Sequence, residues 1–253
     1  MKLYHRTLGE GEPLIIMHGV FGSSDNWQSV GKVFSERFKV YFLDLRNHGR
    51  SPHSEAFDYQ SMAEDVHEFI DDMNISKAHL LGHSMGGKVA MQLATDFSDR
   101  VNKLVVVDIA PKYYPPHHQQ IFDGFRAVDL QSIRSRKEAD DQMAEVISSI
   151  GVRQFILKNL DREEGGKFKW KLNLKVIEEK ANEIGSSIGD QVSFDGKTLF
   201  ISGSNSDYIT KDDHARIRSF FPSSEIREVQ GAGHWIHAEK PKDLIRLVMD
   251  FLG

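Results

Sequence analysis

A serine, a histidine and a pair of aspartates in this chain stand in contexts that suit nucleophilic acyl-transfer chemistry. Ser84 lies in Gly82-His83-Ser84-Met85-Gly86, a G-x-S-x-G pattern that lifts a serine hydroxyl out of a sharp strand-to-helix turn. Such a turn crowds the backbone, and a Cβ at Gly82 or Gly86 would collide with it. Gly231-Ala232-Gly233-His234-Trp235 supplies a base. A histidine with an unperturbed pKa of about 6.5 can take the serine proton and return it to a leaving group. The chain has 12 histidines, so most must be surface, turn or core residues. His237 is the nearest competitor, but the flanking glycines favour His234. His83, inside the elbow, is read as packing beneath it.

Two aspartates compete for the role of acid. Asp108 ends the apolar run 104–107, where its carboxylate would emerge at the carboxyl edge of a parallel sheet. Asp207 follows the next strand, in Gly203-Ser204-Asn205-Ser206-Asp207. Either gives the order Ser, Asp, His, and Asp108 is favoured. An oxyanion site is expected at His18-Gly19-Val20-Phe21-Gly22-Ser23, a glycine turn after the apolar run 14–17. There the backbone N–H of Val20, with that of Met85, could hold developing negative charge without reorganisation, each donor being worth roughly 3 kcal/mol in the transition state. Asp44-Leu45-Arg46-Asn47-His48-Gly49-Arg50-Ser51 is read as a loop-bracing network rather than as a nucleophile or substrate clamp. His117-His118 has no acidic or thiol partner at ligand spacing, so no metal is expected.

These residues need a scaffold that delivers them to one edge. Short apolar runs at 2–7, 14–17, 40–43, 79–81, 104–107, 198–201 and 226–229 alternate with helical patterns near 27–34, 59–73, 88–97, 211–220 and 242–251. That rhythm belongs to βα units around a parallel sheet. Residues 112–195 break it. They show helical patterns at 121–128, 139–149 and 174–184 and no convincing strand, so they are expected to form a helical cap. The core would then be 1–111 and 196–253. Tyr113, Tyr114, Phe122, Phe125, Phe155, Phe168 and Trp170 fall in the cap; most should pack it, and some should line an apolar pocket over Ser84.

Composition narrows the classes further. With 253 residues, 40% of them hydrophobic, the chain can build a sizeable core. A formal net charge of -5, with scattered Lys and Arg, argues against a nucleic-acid partner. The absence of cysteine removes disulfides, thiolate metal sites and cysteine nucleophiles. No stretch approaches the ~18 apolar residues of a membrane span, and the first residues do not read as a signal peptide. A cytoplasmic protein acting on a small molecule is expected.

The combination of His18-Gly19-Val20-Phe21-Gly22-Ser23, Arg46-Asn47-His48-Gly49, the Ser84 elbow with Gly87-Lys88, Asp108-Ile109-Ala110-Pro111 and Gly231 to Pro241 resembles the α/β-hydrolase superfamily over essentially the whole chain. Within it, the motifs look like the YbfF-type bacterial esterases; Asn47, where most of the superfamily has glycine, belongs to the narrower match. The resemblance implies an acid after the sixth of the usual eight strands, hence Asp108. The common acid position, three residues after a glycine, is here Ser206. It also implies a seven-stranded, mostly parallel sheet and hydrolysis of carboxylic esters or thioesters without a cofactor. The substrate is not implied. Acyl transfer to another acceptor, or a lyase reaction, could use the same triad, and a non-catalytic ligand receptor could use the same scaffold.

Overall fold

The computed structural model describes residues 1–163, 165–189 and 193–253. Ala78–His83 and Thr198–Gly203 are buried at every position, as strands covered on both faces must be. They lie in a seven-stranded sheet made of β1 (His5–Leu8), β2 (Glu12–Met17), β3 (Phe38–Leu43), β4 (Ala78–His83), β5 (Val101–Val107), β8 (Thr198–Gly203) and β9 (Ser224–Val229). The order is β1-β3-β2-β4-β5-β8-β9. Only β1 runs antiparallel to its neighbour.

Successive residues of a strand point to opposite faces, and the sequence uses this to fill two cores. Ile15, Met17, Tyr41, Leu43, Leu80 and Val106 pack on one face with α2 (Tyr59–Asp72) and α3 (Met85–Asp96). Leu14, Ile16, Val40, Phe42, Val105 and Val107 pack on the other with α1 (Gln28–Phe34) and α11 (Pro241–Leu252). The stripe Leu244, Val248 and Leu252 of α11 is buried, one residue per helical turn. The short helices α9 (Asp213–Phe220) and α10 (Ile236–Glu239) flank β9.

The first strand begins later than the apolar pattern predicts. The amide of Tyr4 donates to Ser51 Oγ (2.8 Å), outside the sheet, and pairing starts with His5 opposite Leu43.

Between β5 and β8 the chain forms α4 (Gln119–Ala127), α5 (Arg136–Met143), α6 (Ile150–Leu157), β6 (Leu160–Arg162), β7 (Phe168–Trp170), α7 (Leu174–Glu179) and α8 (Ala181–Gly185). Residues 164 and 190–192 of this segment lie outside the described ones. Three sequence expectations need correction here. The segment does contain strands, since β6 and β7 pair as an antiparallel ribbon; three residues per strand are too few to show a period of two. The helix expected over 174–184 is two, α7 and α8, which part at Lys180. The helix expected over 139–149 stops at Met143, and a second starts only at Ile150. Ser149 opens the second, its Oγ accepting the Val152 N–H (3.4 Å), and the Arg153 guanidinium takes the carbonyls of Ile147 and Ser148 (2.9 and 3.0 Å) left over between them.

Lys88 fastens this segment to α3. The residue is 1% exposed, and its ammonium donates to the carbonyls of Lys112 (2.8 Å), Gly185 (3.1 Å) and Ser186. It also faces the rings of Tyr59 and Tyr114 at 5.3 and 4.8 Å. Burial pushes this amine down to about 7. The Tyr59 hydroxyl donates to the carbonyl of Ile184. Asn173 donates to Asn47 through its side chain (3.1 Å) and its backbone (3.0 Å).

Replacing Lys88 by Met should leave the carbonyls of Lys112 and Ser186 without a donor, Gly185 keeping the Tyr114 N–H (2.8 Å), a loss of about 2–6 kcal/mol at 1–3 kcal/mol for each buried unpaired group. Calorimetry should show a melting temperature lower by roughly 5–20 °C. A variant that melts with the wild type would mean that the ammonium does not hold the segment.

Candidate active site

The turn at Ser84 joins β4 to α3 with φ 53° and ψ -120°, a conformation that costs of order 1–3 kcal/mol for a residue with a side chain. The surrounding backbone holds it there. A Cβ on Gly82 would sit 2.2 Å from the carbonyl oxygen of Gly86, and one on Gly86 would sit 2.5 Å from the oxygens of Met17 and His18. The first turn of α3 therefore rests directly on the ends of β4 and β2. The Ser84 amide donates to Val107 (3.0 Å), which ties the elbow to the neighbouring strand.

Asp108 follows β5, also with positive φ (52°), and its carboxylate is completely buried. Oδ1 accepts the Gly203 N–H (3.0 Å), and Oδ2 accepts the Ser206 hydroxyl (2.5 Å) and the His234 Nδ1–H (2.8 Å). Asp207 is exposed. Ser206, which stands at the superfamily's common acid position, instead serves the carboxylate of Asp108. With Nδ1–H committed to Asp108, His234 keeps its lone pair on Nε2. The Glu239 carboxylate braces the loop by accepting the N–H groups of Gly233 (2.7 Å) and Trp235 (3.3 Å).

Ser84 and His234 face one cavity of about 270 Å³. No direct hydrogen bond joins the serine hydroxyl to the imidazole; such contacts commonly tighten only when substrate binds. The glycine turn after β2 borders the serine closely, since a Cβ on Gly19 would lie 3.2 Å from the Ser84 Cβ. The turn is closed by the Gly22 N–H on the Gly19 carbonyl (2.9 Å). The N–H groups of Val20 and Met85 donate to no protein acceptor among the described residues. Both residues flank Ser84.

The loop 44–51 is a brace. Asp44 accepts the N–H groups of Ser24 (2.6 Å) and Arg50 (2.9 Å). Arg46 pairs with buried Asp65 (2.6 Å) and donates to the carbonyls of Ala56 and Ser61. Under the site His18 and His48 are wired as neutral rings, each giving one hydrogen and accepting another. His18 donates to the Gly19 carbonyl (2.8 Å) and accepts the Leu45 N–H (3.0 Å). His48 donates to the Arg46 carbonyl (2.8 Å) and accepts the Phe21 N–H (3.3 Å). His83 lies beneath the elbow, donates to the backbone carbonyl of His234 (2.9 Å) and so supports the loop that carries it. His237 stacks on Trp27.

Burial lowers the pKa of His18 and His83, and brings His48 and His237 down to about 3 and His118 to about 4.

Two contributors escape sequence reasoning. Tyr208 stacks on the His234 ring with centroids 3.8 Å apart and an angle of 16°. It is fixed by the Tyr114 hydroxyl on its carbonyl (2.5 Å) and by its own hydroxyl, which donates to His117 Nε2. Only its place in the turn after β8 could have marked it. The second is Lys88, whose buried ammonium carries no motif beyond its position after the elbow. Of the aromatics in 112–195, Phe155 and Tyr114 border the space over Ser84. Phe122 and Phe125 pack on Phe21, and Trp170 packs on Phe125.

A family model described as the alpha/beta hydrolase fold matches residues 12–241. Esterase YbfF of Escherichia coli (strain K12) is 35% identical over 244 residues, covering 95% of this chain and 93% of its own. An sn-1-specific diacylglycerol lipase of Danio rerio, ABHD11, is 39% identical over 253 residues, covering 96% of this chain and 79% of its own. Among solved structures, a marine microorganism esterase superposes with a TM-score of 0.96 at 42% identity, over 99% of both chains.

The neutral histidines make the site sensitive to acid. Their folded pKa values lie below the unfolded value of about 6.5, so below that pH the unfolded chain binds more protons and stability falls. His48 and His237 alone should each cost about 2 kcal/mol at pH 5. From His48, His237 and His118 unfolding at pH 5 should take up roughly three protons, and His18 and His83, whose pKa values are also lowered, add to that uptake. The pH dependence of the calorimetric melting temperature measures this number, and an uptake near zero would contradict neutral wiring.

Proposed function

The chain belongs to the α/β-hydrolase family, among its ester hydrolases, and we propose that it is a serine carboxylesterase cleaving small acyl esters or thioesters through an acyl-enzyme. The observation that carries this reading is the 2.8 Å bond from His234 to buried Asp108, at a cavity that the strained Ser84 also faces. Residues 112–195 act as a cap over the core formed by 1–111 and 196–253. The substrate is a small molecule, and the residues named here complete the chemistry without a metal or cofactor. No helix among the described residues is long and apolar enough to cross a membrane.

In the first half-reaction, Ser84 Oγ forms a bond to the ester carbonyl carbon while its proton passes to His234 Nε2. The carbonyl electron pair moves onto oxygen, where the N–H groups of Val20 and Met85 receive the charge. Collapse of the tetrahedral species breaks the bond to the leaving oxygen or sulfur, which takes the proton from His234. Water then repeats the sequence on the acyl-enzyme and releases the acid. Asp108 holds the imidazole in the required tautomer and offsets its positive charge. Tyr208, stacked on the same ring, presents its π face to that charge.

Ser84→Ala should lose roughly 10⁴ to 10⁶ in turnover on small activated esters, because triad members act as a unit. Retention of more than a tenth of the activity would remove the serine from the chemistry. Asp108→Asn should lower turnover by as much as about 10⁴ by favouring the wrong histidine tautomer. Asp207→Asn should change it less than roughly tenfold, and the opposite ranking would reassign the acid. Product analysis with and without added alcohol separates hydrolysis from acyl transfer.

A further inference from the structure

Ser84 sits where two unequal chambers meet. The larger, about 270 Å³, has His234 in its wall and is lined beyond it by Ile121, Val152, Phe155 and Trp235. The smaller, about 20 Å³, lies against Met85 and is closed by Ile109, Pro116 and Ile184. Val20, Ser84 and Tyr208 border both, whereas His234 walls only the larger and Met85 only the smaller.

Resting on the serine-esterase reading, this asymmetry assigns the halves of the substrate. The tetrahedral carbon carries four substituents: Ser84 Oγ, the oxyanion, the leaving oxygen or sulfur and the acyl chain. The leaving atom must meet the proton on His234, so its substituent extends into the larger chamber. The oxyanion is taken by the two N–H groups. The direction left for the acyl chain is away from His234, into the smaller chamber beside Met85. At about 20 Å³, against about 270 Å³ for the larger chamber, the acyl side leaves room only for a short chain.

We infer that the protein selects esters or thioesters of a short acyl group, acetyl or propionyl, joined to a bulky, largely apolar alcohol or thiol. Ile109 and Ile184 set the acyl limit, and Phe155 and Val152 shape the fit of the leaving group. A methylene that a hydrophobic pocket cannot place changes specificity by roughly 10–200-fold, so the cut-off should be sharp.

The test is a series of p-nitrophenyl esters from acetate to octanoate, assayed alongside acetates of alcohols of increasing size, with Ser84 occupancy followed by phosphonate labelling. For the wild type, kcat/KM should fall at least tenfold between propionate and hexanoate and should rise with alcohol size. Ile184→Ala, or Ile109→Ala should the first variant fail to fold, should move the acyl optimum by two or more carbons. Phe155→Ala should leave the acyl optimum in place and change only the alcohol profile. A wild type that prefers hexanoate or longer, or an acyl optimum moved by Phe155→Ala and not by the isoleucine variants, overturns the assignment. In that outcome turnover and Ser84 labelling persist, and the esterase reading stands. Absence of both turnover and labelling overturns the two together.

Discussion

A buried carboxylate is costly unless each lone pair finds a donor, and the functional end of this molecule is organised around meeting that demand for Asp108. Its three donors come from different parts of the sheet edge: the Gly203 amide at the end of β8, the Ser206 hydroxyl in the turn beyond it, and the His234 ring in the loop after β9. They converge because β5, β8 and β9 are consecutive parallel neighbours, so that their carboxyl ends open at one place. The strand order, the histidine loop and the turn that carries Tyr208 are all aligned by one acceptor group.

The parts of the fold that obey short-range rules were legible in the sequence. Apolar runs marked the seven strands to within a few residues. The spacing of Gly82, Ser84 and Gly86 announced a turn that excludes side chains on steric grounds alone. Asp108 and Asp207 were harder to separate, since a strand end and a turn both suit an aspartate; the choice depends on which oxygen reaches His234 in three dimensions. What stayed hidden depends on contacts distant in sequence. The stacking of Tyr208 on His234 joins two loops. Lys88 is buried because carbonyls about 24 and 97 residues away happen to surround its amine. The helix break at 144–149 is stabilised by Arg153 reaching back, and periodicity cannot report such a bond.

The same contrast separates the two structural regions around the serine. On the sheet side, Ser84 is held by backbone: by strand ends, a helix turn and amide hydrogen bonds. On the side formed by 112–195, the space above it is shaped by side chains such as Phe155 and Ile184, and the segment is fastened through Lys88, Tyr59 and Asn47. Around Ser84 the sheet side is thus built from backbone, while the walls of the space above it are built from side chains.

The close approach of Gly82 and Gly86 to carbonyl oxygens, at 2.2 and 2.5 Å for an added Cβ, makes the two sides unequal in the substitutions they tolerate. At those positions any side chain introduces a clash with backbone that the elbow cannot relieve without losing its shape. At Ile109, Ile184, Phe155 or Val152 a change of one or two methylenes reshapes a chamber and leaves the elbow intact. On the serine-esterase reading, new substrate preferences therefore accumulate in the walls by ordinary point mutation while the elbow keeps its shape.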